Sequence, residues 1–203
     1  MSHDTHQMSL LESAGRKMSL DEISDEIGDC TRCSLHEGRT NIVFGEGNAK
    51  ARLVFVGEGP GREEDEQGRP FVGRAGKLLT KIINAMGLQR TDVYICNVVK
   101  CRPPENRNPE ADEMITCGQF LTKQLQSISP EVIVCLGSIA SRYLLNSKAS
   151  LGSLRGKFHP YGNSKLYVTY HPAALLRNPN FKKPLWEDMK LVLKELNLPV
   201  PGD

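Results

Sequence analysis

No stretch of this chain approaches the ~20 consecutive apolar residues that a membrane-spanning helix needs, so no helical span is expected. Residues Met1 to Lys17 are polar and lack the apolar core of a secretory signal; a cytoplasmic chain without membrane contact is therefore expected. Charge of one sign is also missing: 26 Lys and Arg face 24 Asp and Glu, a net charge of +2 that selects no partner. There is no internal repeat and no low-complexity tract. Two nucleotide signatures are absent as well. Gly57-Glu58-Gly59-Pro60-Gly61 does not follow G-x-G-x-x-G, and Pro60 has no backbone N–H to offer a phosphate. Nor is there a Walker A sequence. In a reducing compartment, disulfides are not expected either. The six cysteines then read as ligands, core residues or catalytic groups.

Four of those cysteines carry the strongest signal. Cys30-x-x-Cys33 is followed after 67 intervening residues by Cys101, and after 15 more by Cys117. Four thiolates in this grouping match the ligand count of a closed tetrahedral site, either a structural zinc or an iron–sulfur cluster. Cys96 and Cys135 fall inside apolar runs and read as core.

The 203 residues, 39% hydrophobic and 25% charged, are enough for one globular domain with a full core. Residues 1–18 read as a disordered leader, and residues 19–203 as the domain. Ser19-Leu20-Asp21-Glu22 predicts a capping box that opens a helix ending near Gly28. Strand-like runs are predicted at 52–58, 93–99, 131–137 and 166–170. Helices are predicted at 77–86, 109–128, 138–145 and 184–196, and an acidic turn-rich loop follows Gly61. Strands alternating with helices predict an α/β fold: a single-domain three-layer α/β/α sandwich around a central, mainly parallel four-stranded sheet. In such sheets ligands bind beyond the carboxyl ends of the strands. The residues found there are Glu58 to Gly61, Asn97 with Lys100 and Cys101, Gly137-Ser138, and His171-Pro172.

Each of these has a plain structural reading beside a chemical one. Phe71, in Pro70-Phe71-Val72-Gly73, either packs a core edge or offers a stacking surface to a base. Asn97 either satisfies loop backbone or presents a donor and an acceptor to a base edge. His171 either caps a loop or donates to a developing anion. Leu175 is either helix core or an exposed wedge for a DNA stack. Charge adds one more clue, because residues 151–185 hold six Lys or Arg, two His and no acid. Such a segment suits a phosphate backbone, or is simply a solvated face.

Read together, CTRCSLHEGRTNIVFGEGN (30–48), VGEGPGREEDEQGRPFVGRAGKLL (56–79), NVVKCRPPENRNP (97–109) and HPAALLRNP (171–179) resemble the family 4 uracil-DNA glycosylases. These form the iron–sulfur branch of the uracil-DNA glycosylase superfamily, and the resemblance runs in order over roughly residues 20–197. It implies an enzyme that flips uracil out of DNA and hydrolyses its N-glycosidic bond, leaving an abasic site and free uracil. It implies a [4Fe–4S] cluster on Cys30, Cys33, Cys101 and Cys117, with structural zinc as the alternative. It places Glu58, Gly59 and Pro60 at the uracil and its sugar, with Glu58 assisting water or the sugar cation. Phe71 would stack on the base, Asn97 would read its edge and His171 would face its O2. Glu64 is the candidate for excluding the 5-methyl of thymine. Leu175, Arg177, Arg155 and Lys157 are the candidates for holding DNA. A monomer acting on uracil-containing DNA is expected. Two other readings compete: a non-catalytic iron–sulfur DNA-binding module of replication or repair, and a small enzyme of free nucleotides with a zinc staple.

Overall fold

The computed structural model describes residues 16–202. Of the leader expected at 1–18, residues 1–15 lie outside the described residues. Residues 16–18 are tied down: Arg16 pairs with Glu22, Lys17 Nζ donates to Ser129 Oγ at 3.0 Å, and Met18 packs beside Ile23 and Phe120.

The first helix, α1 (Leu20–Ile27), starts at the predicted capping box. Ser19 Oγ accepts from Glu22 N, and the Glu22 carboxylate accepts from Ser19 N. Next come β1 (Glu46–Gly47), β2 (Leu53–Gly57), α2 (Arg62–Gln67), α3 (Arg74–Ala85) and β3 (Tyr94–Asn97). The chain continues through α4 (Ala111–Ile128), β4 (Val132–Leu136), α5 (Ser138–Leu145) and α6 (Leu151–Leu154). It closes with β5 (Phe158–Tyr161), β6 (Ser164–Thr169), α7 (Pro172–Arg177) and α8 (Lys182–Glu195).

Among the described residues the sheet has six strands, in the order β1-β3-β2-β4-β6-β5. The four predicted strands form its parallel centre, and the two unpredicted ones are antiparallel edges. This corrects the four-stranded expectation. β1 is only two residues long, and β5 carries Pro160, which a central strand excludes but an edge strand tolerates. The acidic segment after Gly61 is the helix α2, not a loop. Its sequence REEDEQ has no apolar period, but Glu63, Glu64 and Asp65 complement the positive end of the helix dipole.

Side chains alternate across the central strands. Val54, Val56, Ile133, Cys135, Leu166 and Val168 face one layer, in which Leu121 and Leu125 of α4 and Ala140 and Leu144 of α5 are buried. Leu53, Phe55, Val132, Val134 and Tyr167 face the other, with Leu79 and Ile83 of α3 and Met189 and Val192 of α8. This is the predicted α/β/α sandwich. Strand β2 sits between β3 and β4, so the chain's direction of winding reverses there and opens a crevice at the carboxyl ends.

Candidate active site and four-cysteine pocket

That crevice is a cleft of about 510 Å³, within the range of small-molecule sites. Glu58, Gly59, Pro60, Glu64, Phe71, Asn97, His171 and Arg177 all line it. Residues from three of the four motif stretches thus meet at one sheet edge.

Asn97 ends β3, opposite Gly57 of β2. It is 1% exposed, and its Oδ1 is buried without a hydrogen-bond partner among the described residues. An unpaired buried acceptor costs about 1–3 kcal/mol, so its presence marks a site held ready for a donor. Gly57 makes the arrangement possible. A Cβ there would lie 2.4 Å from Asn97 Oδ1 and 2.5 Å from Phe71 Cζ.

His171 is the N-cap of α7, and its Nδ1 accepts from Ala173 N at 3.1 Å. Burial, and then the nearby Arg177 charge, lowers its pKa from 6.5 to about 4. The ring is therefore neutral near pH 7. With Nδ1 accepting, the single proton sits on Nε2. Its ring centroid lies 5.6 Å from that of Phe71.

Phe71 itself is nearly buried and takes a positive φ of 52°. Glu64 braces its loop: Oε1 accepts from Val72 N at 2.9 Å and Gly73 N at 2.8 Å, and Oε2 from Gly61 N at 3.2 Å. Glu58 is half-buried, and burial raises its carboxyl above the ordinary value. Behind Gly59, Val99 closes the wall; a Cβ on Gly59 would meet Val99 Cγ2 at 2.7 Å.

Two of the expected DNA contacts are corrected. Leu175 is 1% exposed and belongs to the core cluster of Phe71, Leu79 and Leu136, so it cannot enter a base stack. The exposed leucine of α7 is its neighbour Leu176, at 48%. Arg155 is turned inward. Its Nε donates to buried Asp188 Oδ2 at 2.7 Å, its Nη2 donates to Pro184 O, and its guanidinium covers the Tyr170 ring. Asp188 also accepts from Tyr167 and Thr169. Arg155 therefore neutralises a buried carboxylate and is not free to hold a phosphate. Arg177 is exposed at the cleft; Lys157 is exposed but lies outside its lining.

Cys30, Cys33, Cys101 and Cys117 line a second, small pocket walled by Ile27, Ile42 and Phe120. None is in a disulfide. Three of the sulfurs accept N–H donors: Cys30 from Arg32 at 3.1 Å, Cys101 from Arg39 at 3.6 Å and Cys117 from Lys100 N at 3.2 Å. Burial raises the Cys33 and Cys101 thiols, and that of Cys117 to about 11. Among the described residues, no three His, Cys, Asp or Glu side chains are arranged to hold a single metal ion.

Lys100, placed by the sequence only among the residues beyond the strand ends, lies between the two pockets. Lys100 is fully buried; its Nζ donates to Asn97 O at 2.8 Å and Gln124 Oε1 at 2.6 Å. No sequence signal marks its burial, since a lysine reads as a surface residue.

The profile of the uracil DNA glycosylase superfamily matches residues 44–190. The type-4 uracil-DNA glycosylase of Saccharolobus solfataricus is 50% identical over 188 residues, covering 88% of this chain and 87% of that protein. That of Thermotoga maritima is 51% identical over 165 residues, covering 80% and 86%. A type-5 uracil-DNA glycosylase of Pyrobaculum aerophilum is 32% identical over 146 residues, covering 64% of each.

Proposed function

The chain belongs to the uracil-DNA glycosylase superfamily, among its type-4 members, and from that premise we propose how its cleft releases uracil from DNA. The protein is a uracil-DNA glycosylase of DNA repair, a hydrolase of N-glycosyl bonds. A non-catalytic DNA-binding module would have no use for the cleft just described.

The observation that carries the site reading is the unpaired Asn97 Oδ1. Uracil presents N3–H as a donor and O4 as an acceptor, which match Asn97 Oδ1 and Nδ2. Cytosine presents the reverse pair and would leave the buried amide mismatched, a strong basis for rejection. The base reaches this depth only when flipped out of the duplex, and Phe71 then forms the wall against its face. As the bond from C1′ to N1 breaks, electrons move onto uracil and cationic character develops on the sugar. Neutral His171 donates through Nε2–H to uracil O2, where that charge collects. Water completes the reaction at C1′. Glu58, raised in pKa and lacking an ionic partner among the described residues, accepts the water's proton or faces the cationic sugar.

Glu64, pinned by three backbone N–H groups, stands in the cleft wall as the group that rejects the thymine methyl. Exposed Arg177 holds a phosphate near the cleft mouth, and Leu176 takes the wedge role expected of Leu175.

Cys30, Cys33, Cys101 and Cys117 would hold a [4Fe–4S] cluster, with zinc as the alternative. Four sulfurs, apolar walls and N–H donors directed at three of the sulfurs support a thiolate-bound centre. When bound, it would supply a structural cross-link rather than a step of the hydrolysis. Brown colour with visible absorption in the purified protein distinguishes iron–sulfur from zinc.

The test of the catalytic reading is uracil release from a uracil-containing oligonucleotide. Asn97→Ala and His171→Ala are each expected to lower it by about 100-fold or more. Wild-type release by both variants would overturn the site assignment. Near-full activity of Glu58→Gln would remove Glu58 from the reaction.

A further inference from the structure

Phe71 does not hold its position by itself. A bulky residue at φ 52° occupies a region that most non-glycine residues avoid, and such strain persists only where the surroundings impose it. One constraint comes from the amide side, where Glu64 accepts from Val72 N and Gly73 N. The other comes from Arg90, in the turn between α3 and β3 and outside the four motif stretches. Its Nη2 donates to Pro70 O at 2.8 Å, and its Nη1 donates to Phe71 O at 3.1 Å and Thr80 Oγ1 at 3.2 Å. The guanidinium thus reaches two consecutive carbonyls and a helix side chain at once. Glu46 fixes it from behind, accepting from Arg90 Nε at 3.0 Å and from Arg69 Nε at 2.8 Å. This gives the two-residue strand β1 a purpose: its pairing with β3 carries Glu46 to Arg90. Close packing completes the seat, since a Cβ on Gly76 would fall 1.9 Å from the Phe71 carbonyl carbon.

We propose that Arg90, oriented by Glu46, is a positioning residue for uracil excision: it clamps the Pro70 and Phe71 carbonyls so that the strained loop presents the Phe71 ring to the flipped base. Arg90 does not line the cleft and touches neither base nor sugar, so it acts only through Phe71. The inference rests on the stacking role given to Phe71 above. A lysine cannot replace it, because one ammonium lacks the planar fork that spans two carbonyls.

The test is a double-mutant cycle in single-turnover uracil release, with melting temperature recorded for every protein. Phe71→Ala is expected to lose about tenfold or more, and Arg90→Gln about tenfold. Arg90→Gln added to Phe71→Ala is expected to cost less than about twofold further, because residues acting through one another are non-additive. In steady state the Arg90→Gln loss is expected in kcat, with KM for DNA little changed. Equal losses in both backgrounds, or a wild-type rate for Arg90→Gln, would overturn the proposal. A wild-type rate for Phe71→Ala would instead sink the stacking role. Should Arg90→Gln fail to fold, Arg90→Lys keeps the Glu46 ion pair and completes the cycle. It is expected to fold and to show the same Phe71-dependent loss, and wild-type activity from it would count against the clamp.

Discussion

At the scale of single residues, the site is built from groups that the fold would be better off without. Asn97 Oδ1 is a buried acceptor with no donor among the described residues, so the folded chain carries its desolvation cost. Asn97→Ala should therefore abolish most uracil release while leaving the melting temperature unchanged or raised. A large drop in melting temperature would mean that the amide is structural. His171 makes a second prediction. Its pKa lies at about 4, displaced from 6.5 by burial and then by Arg177. The unfolded chain binds that proton more tightly than the folded one. His171's contribution to stability is thus present above 6.5 and is lost as the pH falls from there through about 4. In single-turnover release, no inflection near 6.5 is expected. Under the proposed mechanism the acid limb that remains would belong to Glu58, whose carboxyl is raised above 4.5, and ultimately to His171 near 4. A rate that halves near 6.5 would show that the ring protonates freely, and would remove the neutral Nε2–H donor from the mechanism.

At the scale of elements, the legible parts were those with a period. The four parallel strands and the longer helices were read from apolar runs, and the strand-end rule located the cleft. Hidden parts had their cause in pairing or packing rather than in local pattern. β1 is two residues fixed only by its partner β3, Pro160 disguises β5, and α2 is charged throughout. Leu175 and Leu176 are adjacent on one short helix, and only burial decides which of them faces the core. Arg155 was legible as a cation but not as the partner of Asp188, which lies 33 residues away in sequence. Gly57 shows the same limit. It reads as a turn glycine, yet its role is to let Asn97 and Phe71 approach each other across the end of β2. Gly57→Ala would place a methyl 2.4 Å from Asn97 Oδ1 and 2.5 Å from Phe71 Cζ. Uracil release is expected to fall by about 100-fold, as for a displacement of roughly 1 Å in a preorganised site. The loss in melting temperature should be modest by comparison, because both displaced groups border an open cleft. Activity retained within about twofold would show that the two side chains can separate without consequence.

At the scale of the whole molecule, the cysteine pocket joins parts of the chain that the sheet does not. Cys30 and Cys33 follow α1, Cys101 follows β3, and Cys117 lies in α4. One polar junction ties the same three regions. Glu113 of α4 is 1% exposed and accepts from Ser34 Oγ at 3.0 Å, from Arg107 Nη2 at 2.7 Å and from Glu110 N at 2.7 Å. Its carboxyl is lowered to about 2, chiefly by Arg107. Its contribution is present above the ordinary 4.5 and is lost only as the pH falls through about 2, so this tie survives mild acid. Loss of the proposed centre would act elsewhere, on the sulfurs alone. Without a cation, burial favours neutral thiols at Cys33, Cys101 and Cys117, which hold nothing together. The parallel strands draw on two apolar layers; Cys101 and Cys117 sit at one of them, and the other contains none of the four cysteines. If the cysteines hold the proposed centre, stripping it from the purified protein should therefore speed amide exchange in residues 20–45 and 101–109 while leaving β2, β4 and β6 protected. Because residues 101–109 reach the cleft through Pro103, Asn106, Arg107 and Asn108, DNA binding should weaken before the sheet opens. Hydrogen exchange followed by mass spectrometry reads both regions in one experiment. Uniform loss of protection across the sheet would make the centre part of the global core, and unchanged exchange at 101–109 would free the cleft loop from the cysteines altogether.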